Sequence, residues 1–89
     1  MPERTVTVAS RVGLHARPAA LLAEAAARAG LPVTISSAAG RSVDAASILG
    51  VLSLGVDHGD TVTIAAEGAG AEAALDTLEA LLRTDLDAE

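Results

Sequence analysis

Thr5-Val6-Thr7-Val8 alternates polar and apolar residues with period two, and its β-branched content predicts a half-buried strand with Val6 and Val8 facing inward. From Ala16 to Ala29 the spacing becomes helical, with Leu22, Ala25, Ala26 and Ala29 on one face of a segment rich in helix formers. Gly30 supplies a stop, and Pro32 prevents the helix from continuing. Val33-Thr34-Ile35-Ser36 alternates again, and the small-residue turn Ala38-Ala39-Gly40 lets a short strand around Ser42-Val43 pair back as a hairpin. The apolar positions Ile48, Leu49, Val51, Leu52 and Leu54 predict a short helix over Ala45 to Leu54, ending at Gly55. Asp57-His58-Gly59-Asp60 has turn composition, and Thr61-Val62-Thr63-Ile64 is the clearest strand pattern in the chain. After Gly68-Ala69-Gly70, a final helix is predicted over Glu72 to Leu86, with Leu75, Leu78, Leu82 and Leu86 along one face and Leu81 beside them.

The predicted order is thus β-α-β-β-α-β-α. Each helix needs an apolar surface to cover, and four strands suffice for one sheet, so the expected fold is an open-faced α/β sandwich with the helices on one sheet face. With 89 residues and no internal repeat or linker, the chain is expected to form one domain over 1–89.

Composition narrows the core and the range of partners. There is no aromatic residue and no cysteine, so the interior is built from Val, Ile, Leu and many alanines, without disulfides. The start Met1-Pro2-Glu3-Arg4-Thr5 lacks the basic and apolar regions of a secretory signal, and a cytoplasmic location is the simplest expectation. Charged or polar residues interrupt every apolar segment before it reaches the roughly 18 to 20 residues of a membrane span, so no membrane insertion is expected. A net charge of −6 opposes binding to nucleic acid, and no basic stripe overrides it. Two histidines without cysteine make a poor transition-metal set, and neither a metal nor a cofactor is expected. His58 reads as a solvated loop residue.

The chemistry concentrates in Gly13-Leu14-His15-Ala16-Arg17-Pro18-Ala19-Ala20. Gly13 permits positive φ or a close backbone approach, and Pro18 is suited to the first turn of a helix, where its missing N–H is not needed. His15 then falls at or beside the N-cap, where a ring nitrogen can face the free amides of the following residues. Those amides, beginning at Ala16, would also bind phosphate oxygens, aided by the partial positive charge of the helix start. That charge and the Arg17 guanidinium both favour a neutral, nucleophilic imidazole, and both then stabilise a phosphoryl group carried on it. Arg17 can offer planar, charge-assisted hydrogen bonds to phosphate oxygens. The alternative is a His15 that merely caps the helix and an Arg17 that is solvated.

Gly-Leu-His-Ala-Arg-Pro-Ala, together with the later Ala-Ser-Ile-Leu-Gly-Val-Leu-Ser-Leu-Gly, closely resembles the HPr family, the histidine-containing phosphocarriers of the phosphoenolpyruvate-dependent sugar phosphotransferase system. The resemblance spans almost the whole chain. It implies a four-stranded antiparallel sheet covered on one face by three helices. It also implies a carrier that is not itself an enzyme, in which His15 accepts a phosphoryl group on Nδ1 from phospho-enzyme I and passes it to an enzyme IIA. Arg17 matches the family's active-centre arginine, and Pro18 its proline at the helix start. Ser47 falls on the serine that a kinase phosphorylates in some Gram-positive members, although serine is equally suited to an ordinary N-cap there, and Ala46 replaces a frequent basic residue. Val12 stands where many members have a polar residue, and Glu24 where lysine is frequent. Ala20, Leu21, Ile48, Leu49 and Leu52 are expected to form an exposed apolar docking patch on a monomer. A carrier in a nitrogen-regulatory or dihydroxyacetone-kinase relay would use the same His15 chemistry, and a non-phosphorylated regulatory binding module would use the same patch.

Overall fold

The computed structural model describes residues 2–9 and 13–84. In chain order the elements are β1 (Glu3–Thr7), α1 (Ala16–Arg28), β2 (Val33–Ser37), β3 (Ser42–Asp44), α2 (Ile48–Ser53), β4 (Thr61–Ala66) and α3 (Ala71–Arg83). This is the expected order, and the four strands form one antiparallel sheet ordered β1-β4-β2-β3.

Strand register follows the period-two pattern. Val6 lies opposite Val62, Ile35 opposite Ile64 and Val33 opposite Ala66, so the apolar residues meet on one face. All six join the buried core with Leu22 and Ala26 of α1, Val51 of α2, and Leu75, Leu78 and Leu82 of α3. Side chains of opposite parity are polar: the Thr5 and Thr63 hydroxyls meet at 3.2 Å, and those of Ser36 and Ser42 also pair. One sheet face therefore carries the helical layer. There α3 packs on β1 and β4, and α1 lies against both α2 and α3.

An ion cluster adds a polar tie between sheet and helix. The Arg4 guanidinium reaches Asp76 and Glu72 at 2.7 Å each and Glu79 at 3.0 Å, joining β1 to three successive turns of α3.

Three expectations need correction. The apolar run suggested a helix over Ala45 to Leu54, but α2 begins only at Ile48. The Ala45 N–H instead donates to the Val33 carbonyl at 2.9 Å, and Asp44 closes a turn by accepting from the Ala46 N–H through Oδ1 and from the Ser47 N–H through its carbonyl. On α1, the buried alanines are Ala19, Ala23 and Ala26 with Leu22, whereas Ala25 and Ala29 are only partly covered. The helix is therefore rotated toward its N-terminal i, i+3, i+4 set. At the end of β1, Val8 lies beyond the strand, although its N–H and carbonyl still bond to Asp60 and Gly59. Leu86, expected on the face of α3, lies outside the described residues.

Gly30 ends α1 in the left-handed region at φ +71°, as its stop role requires. Among the described residues, no helix is long and apolar enough to cross a membrane.

Candidate phosphoryl-transfer site

The segment before α1 passes from buried to exposed over three residues. Gly13 and Leu14 are buried, and His15 emerges. Leu14 is 1% exposed and sits within the core, while its N–H donates to the Val56 carbonyl at 2.9 Å. This anchor fixes the backbone immediately beneath the histidine.

His15 is the N-cap of α1, with φ −107° and ψ 161°, and its carbonyl accepts from the Ala19 N–H at 3.4 Å. The helix's own ladder thus starts at Ala19. Pro18 is buried and brings no N–H, so the amides that precede the ladder are those of Ala16 and Arg17. No acidic residue of α1 itself occupies this first turn, where it would offset the partial positive charge of the helix start. The Arg17 side chain is exposed on the same turn.

The imidazole does not fold back onto these amides as the N-cap pattern suggested: it makes no side-chain cap hydrogen bond. Nε2 instead lies 3.3 Å from Asp57 Oδ1, and 48% of the His15 side chain remains exposed. Asp57 was not singled out from the sequence as a partner of His15. It lies 42 positions further along the chain, in a stretch whose composition indicates only a turn. The available signal was Gly13 itself, since a glycine needed for close backbone approach implies another segment packed against the start of the helix.

Ser47 caps α2. Its Oγ accepts from the Gly50 N–H at 3.1 Å, and the residue is exposed. Ser47→Ala is expected to lower stability by about 1 kcal/mol, read as a reduced urea midpoint with an unchanged slope. An unchanged midpoint would show that this cap contributes nothing.

The expected apolar patch is smaller than the sequence suggested. Leu49 and Ile48 are 77% and 41% exposed. Ala20, Leu21 and Leu52 are only partly exposed, and Leu52 packs against the core. Glu24 pairs with Arg28 one turn along α1. Val12 lies outside the described residues. His58 is exposed, and no group of three or more His, Cys, Asp or Glu that could hold a metal occurs among the described residues.

Known proteins are similar to this chain over nearly its whole length. Residues 2–84 match the family model described as the PTS HPr component phosphorylation site. The chain is 47% identical over 87 residues to the phosphocarrier protein HPr of Streptomyces coelicolor, covering 98% of this chain and 94% of that one. It is 49% identical over 83 residues to the phosphocarrier protein HPr of Haloferax volcanii, covering 92% and 93% respectively. The crystal structure of HPr-C-His from Thermoanaerobacter tengcongensis superimposes with a TM-score of 0.92 at 36% identity, covering 100% of this chain and 99% of that one. With the expected fold present and a histidine exposed at the start of its first helix, the chain belongs to the HPr family, the phosphocarrier proteins of the sugar phosphotransferase system, which are carriers rather than enzymes.

Proposed function

We propose that His15 is the residue that carries the phosphoryl group, accepting it on Nδ1 from phospho-enzyme I and passing it to an enzyme IIA for sugar uptake in the cytoplasm. The observation that carries this reading is the setting of the ring: His15 is exposed at the N-cap of α1, on a backbone held from below by buried Leu14. An exposed nucleophile on a rigid support can enter the site of a second protein without rearranging its own fold.

The phosphate is stabilised by the start of α1. The Ala16 and Arg17 amides and the helix dipole favour a dianion, the Arg17 guanidinium supplies charge-assisted donors, and Pro18 sets the first turn. A domain this small offers little space for a substrate pocket, so the partner completes the machinery that transfers the group. Ile48 and Leu49 supply the apolar part of docking, with Ala20, Leu21 and Leu52 at its margin, on a monomeric carrier. Ser47 serves first as the α2 cap. Its exposed hydroxyl is also open to a kinase, and a phosphoryl group there would repel acidic partners.

The test is incubation with phosphoenolpyruvate, magnesium and the organism's enzyme I, followed by intact mass. One acid-labile phosphoryl group per chain, also present in Ser47→Ala, is the expected result. No modification by an active enzyme I would remove this reading and leave a carrier in a different relay or a binding module. Because docking relies on exposed leucine and isoleucine more than on charge, affinity for enzyme I is expected to change little between low and moderate salt. A steep loss with added salt, followed by calorimetry, would contradict that.

A further inference from the structure

The loop from α2 to β4 meets the start of α1 closely enough to place a carboxylate on the histidine. Gly13 has φ +67°, and a Cβ there would stand 2.2 Å from the Val56 carbonyl oxygen and 2.6 Å from Asp57 Cα. Only a residue without a side chain allows the two backbones to approach this far. The Leu14 N–H then bonds the Val56 carbonyl at 2.9 Å, securing the junction one residue from His15 and one from Asp57.

The loop is also closed on itself. The Asp57 N–H donates to Asp60 Oδ2 at 3.0 Å, and the Asp60 N–H to the Asp57 carbonyl at 3.1 Å. The Gly59 N–H donates to the Val8 carbonyl at 3.0 Å, which ties the loop to the end of β1. The Asp57 backbone is therefore placed by contacts on several sides, and its Oδ1 lies 3.3 Å from His15 Nε2.

We propose that Asp57 is a positioning residue for His15, its carboxylate keeping the imidazole proton on Nε2 and leaving the Nδ1 lone pair free to attack phosphorus. The inference rests on the reading of His15 as the phosphoryl acceptor. An ionised carboxylate only accepts hydrogen bonds, and a neutral imidazole has one donor and one acceptor nitrogen, so the contact selects the tautomer with the proton on Nε2. The carboxylate of a Ser-His-Asp triad acts on its histidine by the same logic.

The charge balance of the transfer gives the carboxylate a second effect. The Nδ1 lone pair forms the new N–P bond while the N–P bond of the donor breaks, and that electron pair stays on the donor nitrogen. No proton leaves His15. The ring, now bearing phosphorus on Nδ1 and hydrogen on Nε2, carries a positive charge facing the Asp57 carboxylate. Passing the group on returns the pair to Nδ1 and restores the neutral ring.

The test compares wild type, Asp57→Ala, Asp57→Asn and Asp57→Glu by two measurements. The first is the ¹⁵N spectrum of the neutral His15 ring. Wild type is expected to show a pyrrole-like Nε2 and a pyridine-like Nδ1, and in Asp57→Ala and Asp57→Asn the two shifts should approach each other as tautomers mix. The second is the rate of phosphorylation by potassium phosphoramidate, a small donor that bypasses protein docking. An exposed contact of this kind predicts a fall of about three- to fivefold in Asp57→Ala, with substantial recovery in Asp57→Glu. Unchanged ring shifts, or an unchanged rate, in a variant whose backbone amide spectrum shows an intact fold would overturn the proposal. If wild type took no phosphoryl group from either phosphoramidate or enzyme I, the His15 reading would fail, while the ring shifts would still decide whether Asp57 fixes the tautomer.

Discussion

His15→Ala should remove phosphoryl uptake from enzyme I altogether, a loss of at least about a thousandfold in rate, while the protein stays folded. Both halves of this expectation follow from the geometry. Among the described residues at the start of α1 the ring is the only nucleophile, and neither the following amides nor Arg17 can form the N–P bond in its place. For stability, however, the side chain does little. It makes no capping hydrogen bond, and its contact with Asp57 joins two exposed groups, so the change in unfolding free energy should stay within about 1 kcal/mol. Equilibrium urea unfolding and a quench-flow phosphorylation assay on the same preparation would check the pair. Loss of activity accompanied by a large loss of stability would mean that the ring is structural.

Gly13→Ala should have the opposite signature. Here the cost falls first on the fold, because an alanine must either hold φ +67° with its Cβ inside the Val56 and Asp57 backbone or push that loop away. Backbone strain and overpacking each cost about 1 to 3 kcal/mol, so a total of about 2 to 6 kcal/mol is expected. Gly30 provides the control. It has a similar φ of +71°, but nothing lies within 4 Å of a Cβ built there, so Gly30→Ala should cost only about 1 kcal/mol. Denaturant midpoints for the two variants therefore separate conformational strain from the close approach. Equal losses would show that the contact between the helix start and the loop is unimportant. If the loop moves, the hydrogen bond between His15 and Asp57 goes with it, and the rate by phosphoramidate should fall as it does in the Asp57 variants.

These two glycines illustrate what could be read from the chain alone. Gly30 stands before Pro32 at the end of a helical pattern, and its stop role is local, so sequence was enough to place it. Gly13 was legible as a special backbone position, but the segment packed against it was not. Val56 and Asp57 come from the other side of α1, β2, β3 and α2, and no periodicity predicts which loop closes over a helix start. The hairpin of β2 and β3 was legible from its small-residue turn, whereas the pairs β1–β4 and β2–β4 join distant strands; alternation indicates which residues face inward but not which strands meet.

The errors have the same origin. Ala45 to Leu54 looked continuous because apolar spacing does not register the Asp44 carboxylate, which holds Ala46 in a turn and leaves Ser47 as the cap. Leu52 and Leu49 could not be told apart by hydrophobicity, and only the position of α2 against the core separates the partly buried residue from the exposed one. Candidate chemistry was most legible where one short segment held every needed residue type, from Gly13 to Pro18. It was least legible where the contributing group came from a distant loop.

The most direct measurement is ³¹P–¹⁵N correlation spectroscopy on protein phosphorylated by enzyme I, with the histidine ring nitrogens labelled. The account predicts one phosphoramidate signal coupled to Nδ1 of His15, with the proton remaining on Nε2. A signal coupled to Nε2, or phosphate found only as an ester on Ser47, would contradict it.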